Sequence, residues 1–171
     1  FVAIGLGVML YLIFSSGNEK LEQSSVEIEQ SSVEIEQSNI GQFITDWISD
    51  GSVVKDIESW DVSRVFDMSF LFENINFNAN LSIWDVSRVS AAQGMFRNAT
   101  LFNNNLHSWD VSSITDMNRA FYKAEKFNQD ISQWDVSSCI DMGSMFEGAT
   151  EFGHDLSTWN LANVEIIENM F

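Results

Sequence analysis

Apolar and polar positions along this chain fall into four regimes, and each predicts a different element. Residues 1–14, from Phe1 to Phe14, carry no charge. As a helix rising about 1.5 Å per residue, that run covers roughly 21 Å of a hydrocarbon core about 30 Å thick. Two readings fit it: a membrane-spanning helix completed by residues before Phe1, or the core of a secretory signal peptide ending at Ser15-Ser16-Gly17. A buried helix is the third. The first two place the remainder outside the cytoplasm.

Residues 18–41 are acidic and repeat every seven, Gln23 to Glu29 and then Gln30 to Glu36. Val26 and Ile28 are two apart, about 200° around a helix, so a coiled-coil seam fails on geometry. Val-Glu-Ile-Glu alternates as a strand does, but a single short strand needs a partner. The expectation is an extended, self-repelling stalk. From 42 to 59 the spacing of Phe43, Ile44, Trp47 and Ile48 predicts a short amphipathic helix stopped at Asp50-Gly51, an N-terminal cap for the repeats.

The fourth regime, over 60–171, is a repeat of about 25 residues marked by Trp60, Trp84, Trp109, Trp134 and Trp159. With Trp as position 1, position 3 is Val62, Val86, Val111, Val136 and Leu161, and position 13 is always Phe, from Phe72 to Phe171. Leu-x-x-Trp-x-Val alternates and predicts a strand. Asp-Met-x-x-Met-Phe-x-x-Ala places apolar residues at i, i+3, i+4 and i+7 and predicts a two-turn helix, with Asp67, Asp116 and Asp141 as N-caps. A fixed period of this length predicts an α/β repeat solenoid, one short parallel strand and one short helix per unit, about four and a half units long. Stacked units turn recurring residues into columns, and nine of the 14 Phe fall in just two of them.

Composition narrows the chemistry. A net charge of -17 with eight basic residues argues against nucleic acid and anionic headgroups. One cysteine excludes an internal disulfide framework. With no proline, turns fall to Gly, Asn, Asp and Ser. The chain starts at Phe1 and stops at Phe171 within a repeat, so both ends are expected to be artificial.

No residue pattern marks a reaction centre, and no catalytic, cofactor or metal site is assigned. A column of Asp61, Asp85, Asp110 and Asp135 demands compensation, most simply an Asx turn to the Ser two residues on. A calcium ladder is its functional rival. Asn78, Asn103 and Asn128 are expected to bond backbone across units. Cys139 stands where other units have Val or Ile and reads as core; His107 and His154 stand at variable positions and read as exposed. Asn80-Leu-Ser and Asn98-Ala-Thr are glycosylation sequons, usable only in a eukaryotic secretory pathway.

The pattern intact from Trp109 to Ser132, with Trp-Asp-Val-Ser, Asp-Met and Phe-Asn-Gln-Asp-Ile-Ser, resembles the BspA-like leucine-rich-repeat surface proteins. The resemblance covers 60–171 and extends to the cap, and it departs at Ala91, Ile166 and Gly153. It implies a surface-exposed, leucine-rich-repeat-like solenoid, with adhesion or ligand binding in some members. Variable positions 5 and 7 then define a candidate binding strip: Arg64, Phe66, Arg88, Ser90, Ser113, Thr115, Ser138 and Ile140. The resulting expectation is a non-catalytic, single-pass membrane protein, anchored through residues 1–17, whose repeats face the exterior or the secretory lumen and bind a protein or glycan. Its rivals are a structural spacer or surface-layer module, and the binding part of a larger enzyme.

Overall fold

A computed structural model describes residues 34–50 and 57–171, all within one compact unit, Ser31–Phe171. The apolar start at 1–17 and the first heptapeptide copy lie outside the described residues. So does Gly51.

The first departure from expectation comes at the end of the acidic segment. Glu34–Glu36 forms strand β1 and pairs in parallel with β2, Asp61–Arg64, with Glu34 opposite Asp61 and Glu36 opposite Arg64. Ile35 is fully buried beneath it. The alternating Val-Glu-Ile-Glu therefore has a partner in the first repeat, 27 residues on, and the expected stalk over 18–41 gives way to packed structure from Glu34. The chain then turns at Asn39, whose side-chain oxygen accepts the Glu36 N–H at 3.0 Å and whose carbonyl accepts the first helical bond from Phe43. Helix α1, Ile40–Asp50, begins two residues before the expected cap. Ile40 and Ile44 are buried, and Phe43 and Trp47 meet Trp60 and Phe77 edge-to-face at 5.6 and 5.5 Å. A 3-10 turn, Ile57–Ser59, leads into the repeats.

From Trp60 onward successive units are joined by backbone hydrogen bonds with offsets of 23 to 26 residues. The join is different from the expected strand ladder. Over Leu-x-x-Trp and Val-x-x-Val the chain closes i to i+3 turns, as in Trp84 N–H to Leu81 and Val89 N–H to Val86. Apart from β2, these segments carry no strand among the described residues. The parallel contacts lie one turn later, in a column of bridges linking Asp67, Ala91, Asp116, Asp141 and Ile166, where helix caps were expected.

The expected helix over positions 8–16 is also absent from the described units. Position 11 is left-handed in all five units (Phe70, Gly94, Arg119, Ser144, Asn169), and position 15 in four (Asn74, Asn98, Lys123, Gly148). One left-handed residue every fourth position breaks an α-helix and sends alternate N–H groups out of the unit. The N–H groups of Met68, Phe70, Phe72 and Asn74 donate to the carbonyls of Ala91, Gln93, Met95 and Arg97 at 2.8 to 2.9 Å. Those of Leu71, Glu73 and Ile75 close turns onto Met68, Phe70 and Phe72. A helix would satisfy both sets internally and leave nothing to join one unit to the next. Both conformations put Met, Met, Phe and Ala on one side, which is why the apolar spacing misleads. The Gly and Asn at five of the nine left-handed positions are the sequence's own trace of the conformation.

Inside, the columns pack ring on ring. Phe72, Phe96, Phe121, Phe146 and Phe171 follow one another at 5.3 to 5.7 Å between centroids, and Phe102, Phe127 and Phe152 lie 4.3, 4.0 and 4.2 Å from Phe96, Phe121 and Phe146. Each indole N–H reaches back one unit: Trp84 to the Ile57 carbonyl, Trp109 to Leu81, Trp134 to Leu106 and Trp159 to Ile131, at 2.8 to 3.1 Å. Trp60, first in the column, is buried with its indole N–H unpaired among the described residues.

Two outcomes test this arrangement. Phe121→Ala removes a ring stacked on both sides and should cost about 3–5 kcal/mol in thermal or denaturant unfolding. Arg119→Gly should stabilise by about 0.5–1 kcal/mol, because glycine releases the left-handed strain at φ 56° and loses only part of that gain to unfolded-chain entropy. In a helix the same change would destabilise by about 1 kcal/mol.

Candidate functional site

The candidate strip is built on a ladder. Ser90 N–H donates to the Phe66 carbonyl, Thr115 to Ser90, Ile140 to Thr115 and Glu165 to Ile140, at 2.8 to 2.9 Å. Their side chains therefore stand in one row, about 4.8 Å apart as strands in a sheet do. All five are exposed, Phe66 by 54% and Ile140 by 43%. The row's two hydroxyls are already engaged, Ser90 Oγ with the Phe66 carbonyl and Thr115 Oγ1 with that of Ser90, both at 3.1 Å. They reinforce the backbone ladder.

Position 5 is exposed in every unit: Arg64, Arg88, Ser113, Ser138 and Asn163. Arg64 reaches the Glu36 carboxylate at 3.4 Å, an exposed pair worth little in water. Asn163 turns back to the Ser137 carbonyl at 2.7 Å. The end of the strip near the cap thus carries Arg64, Arg88 and the exposed Phe66, and the far end carries Ile140 and Glu165. Gln37, which sequence reasoning passed over, completes the near edge. Its side-chain oxygen accepts the N–H groups of Phe66 and Asp67 at 3.1 and 2.7 Å, and its amide donates to the Asp67 carbonyl at 2.9 Å. It takes the place that a preceding unit would fill.

The acidic columns are structural in geometry. Asp61, Asp85, Asp110 and Asp135 each accept the backbone N–H of the Ser two residues on, at 3.0 to 3.1 Å. The bonds from Ser63, Ser112 and Ser137 hold the carboxyls of Asp61, Asp110 and Asp135 below their ordinary range. Asp67, Asp116 and Asp141 make the same closure onto Ser69, Asn118 and Gly143 at 2.8 Å, so they cap Asx turns and not helices. Burial, opposed by the Asn118 N–H and reinforced by Asp141 and Asp67, pushes Asp116 up. The Asn column bonds forward, Asn78 Oδ1 to Asn103 N–H, Asn103 to Asn128 and Asn128 to Gly153, at 2.8 to 3.1 Å.

Cys139 is buried, and burial pushes its thiol up to about 11, far from a reactive thiolate. His107 is exposed, whereas His154 is half-buried with Nε2 at 3.0 Å from the Asn128 carbonyl, the place Gln129 fills one unit earlier. Among the described residues no three His, Cys, Asp or Glu side chains converge as metal ligands, and no helix is long and apolar enough to cross a membrane.

The family model described as "Mycoplasma protein of unknown function, DUF285" matches residues 43–131 and again 104–171, together well over half of the chain. No curated protein and no solved structure matches.

The carboxyl shifts have a measurable sign. A depressed carboxyl such as Asp110 contributes stability above its unfolded value of 3.8, and that contribution is lost as pH falls through its lower folded value. Asp116 is opposite: its ionised form costs stability at neutral pH, and the cost disappears as the group protonates. Asp116→Asn, which keeps the oxygen facing Asn118, should therefore raise the melting temperature at pH 7 and lose that advantage at pH 3. An advantage that persisted at pH 3 would assign the effect to packing.

Proposed function

Because the chain belongs to the DUF285 family, whose own description leaves function open, we propose that it is a non-catalytic repeat protein of the cell surface. On this reading its repeats form a leucine-rich-repeat-like solenoid of the BspA-like kind and bind an extracellular protein or glycan. Residues 1–17 supply a membrane anchor, and the acidic segment before Glu34 spaces the repeats from the bilayer.

The single observation that carries this reading is the exposed row from Phe66 to Glu165. There the units share one backbone ladder and differ only in what they present to solvent. A regular rung spacing with variable side chains is how repeat proteins make extended binding surfaces. The end near the cap is the stronger part of the row. Phe66 offers an apolar face to a sugar ring or an aromatic side chain, and Arg88, one unit on from the Glu36-paired Arg64, offers a forked donor suited to carboxylate. In a chain of net charge -17, these cations select an acidic group locally while the remaining surface repels polyanions. The Ser and Thr at the row's centre keep it flat.

A glycan array and a panel of extracellular-matrix proteins, probed with residues 31–171, would test the proposal. The expected result is at least one saturable ligand whose affinity falls about tenfold in Phe66→Ser and again in Arg88→Ser, changes of about 1.4 kcal/mol each. No saturable ligand, or a ligand indifferent to both changes, would remove the strip as the binding face. End-to-end assembly of the protein without a ligand would support a spacer in its place.

A further inference from the structure

The first unit has a row of acceptors that no donor among the described residues fills. In the later units the carbonyls at positions 8, 10, 12 and 14 accept N–H groups from the unit before. Phe70 donates to Gln93, Phe72 to Met95 and Asn74 to Arg97, and the same repeat positions pair through Ser144 to Glu168 and Phe146 to Met170. In the first unit the corresponding carbonyls belong to Asp67, Ser69, Leu71 and Glu73. Gln37 covers that of Asp67. The chain then leaves the edge, turning through Asn39 into α1, and the carbonyls of Ser69, Leu71 and Glu73 have no donor among the described residues.

Ser69, Leu71 and Glu73 line a groove of about 610 Å³ between the first unit and α1. Ile44, Ile48, Phe70 and Ile75 supply its apolar wall, with Ile48 and Phe70 each about half exposed. Asp67 and Glu73 also line it, and no Lys, Arg or His does. Glu73 is engaged by Arg97 at 2.8 Å, which leaves Asp67 as the groove's carboxylate without a cationic partner among the described residues. From Ser69 to Glu73 the edge presents carbonyls, because the N–H groups of Phe70 and Phe72 point to the next unit and those of Leu71 and Glu73 close turns within their own. An ordinary β-strand is a poor match, since its own carbonyls would face this row. A matching ligand has donors alone, repeated at the spacing of alternate residues, at most about 7 Å, and apolar between them.

We propose that this groove binds a linear polyamine, with its ammonium groups on the Ser69, Leu71 and Glu73 carbonyls and the Asp67 carboxylate, and its methylene segments on Ile48 and Phe70. An ammonium group has N–H donors and no acceptor, and its stem is apolar. The site is separate from the strip proposed above and does not depend on it.

Spermidine, titrated into the full chain at physiological salt and followed by calorimetry and by carbonyl carbon NMR shifts, tests the proposal. The expected result is saturable binding, with the largest shifts at Ser69, Leu71 and Glu73. Asp67→Asn should weaken it about five- to tenfold, the effect of one charge near the surface. The Asx turn survives that change, since Asn80 and Asn160 make the same one. Ile48→Lys, at an exposed position, should abolish binding, and Asp155→Asn, in a turn of the fourth unit, should leave it unchanged. Absence of saturable binding would overturn the proposal. So would equal weakening by Asp67→Asn and Asp155→Asn, which would signal diffuse attraction to an acidic chain. Tighter binding of pentalysine than of spermidine would transfer the groove to a peptide and overturn it as well.

Discussion

Alternate N–H groups of each turn segment point out of their own unit and into the carbonyls of the next, and the remaining structure depends on that division. It requires a left-handed residue every fourth position, a conformation costing roughly 1–2 kcal/mol wherever a side chain is present. Phe70, Arg119, Lys123 and Ser144 all bear that cost. It is offset by three or four inter-unit hydrogen bonds per joined turn segment and by the burial those bonds enforce, since a shared backbone spacing brings Phe onto Phe and Trp onto Trp. Glycine enters the columns where a neighbour needs the space. A side chain at Gly94 would meet the Phe70 ring at 2.7 Å, and one at Gly148 would meet the Lys123 stem at 2.9 Å.

The same division accounts for the chain's unusual composition. Turns without proline need side chains that close onto the backbone two residues ahead, and Asp and Asn do this at positions 2, 8 and 22 of the unit, as at Asp110, Asp116 and Asp130. Much of the acidity is therefore consumed in geometry. Where the turn faces water, as at Asp110 and Asp135, a hydrogen-bonded Ser holds the carboxylate ionised; where it is enclosed, as at Asp116, burial opposes the charge. A column of like charges is tolerable because each carboxylate is answered within its own unit.

Turn segments whose outward N–H groups all donate toward the following unit also have unlike edges. The N-terminal edge of the first unit meets three different partners, the strand β1 on β2, the Gln37 side-chain amide at Phe66 and Asp67, and α1 as an apolar cover, and its turn segment from Ser69 to Glu73 presents carbonyls. That makes the cap a chemically distinct region of the molecule. The exposed row from Phe66 to Glu165 differs from it in kind, since its backbone is paired from unit to unit and only its side chains vary. Scaffold and variation are thus carried by different atoms, which is what lets the presented residues change while the backbone ladder stays.

Much of this was legible in the residues. The period, the identity of the inward columns, the Asx turn from Asp to Ser, the Asn ladder and the exposed variable positions all come from comparing units, because stacking makes recurrence equivalent to burial. Secondary structure was not legible, and the reason is specific. Met, Met, Phe and Ala at i, i+3, i+4 and i+7 share a face in an α-helix and also in this left- and right-handed alternation. Only the destination of the N–H groups separates the two, and in these units that destination lies 23 to 25 residues away. The partner of Val-Glu-Ile-Glu, the role of Gln37 and the open carbonyl row were hidden for the same reason: each depends on which backbone edge the first unit leaves unpaired, and that is decided when the units stack.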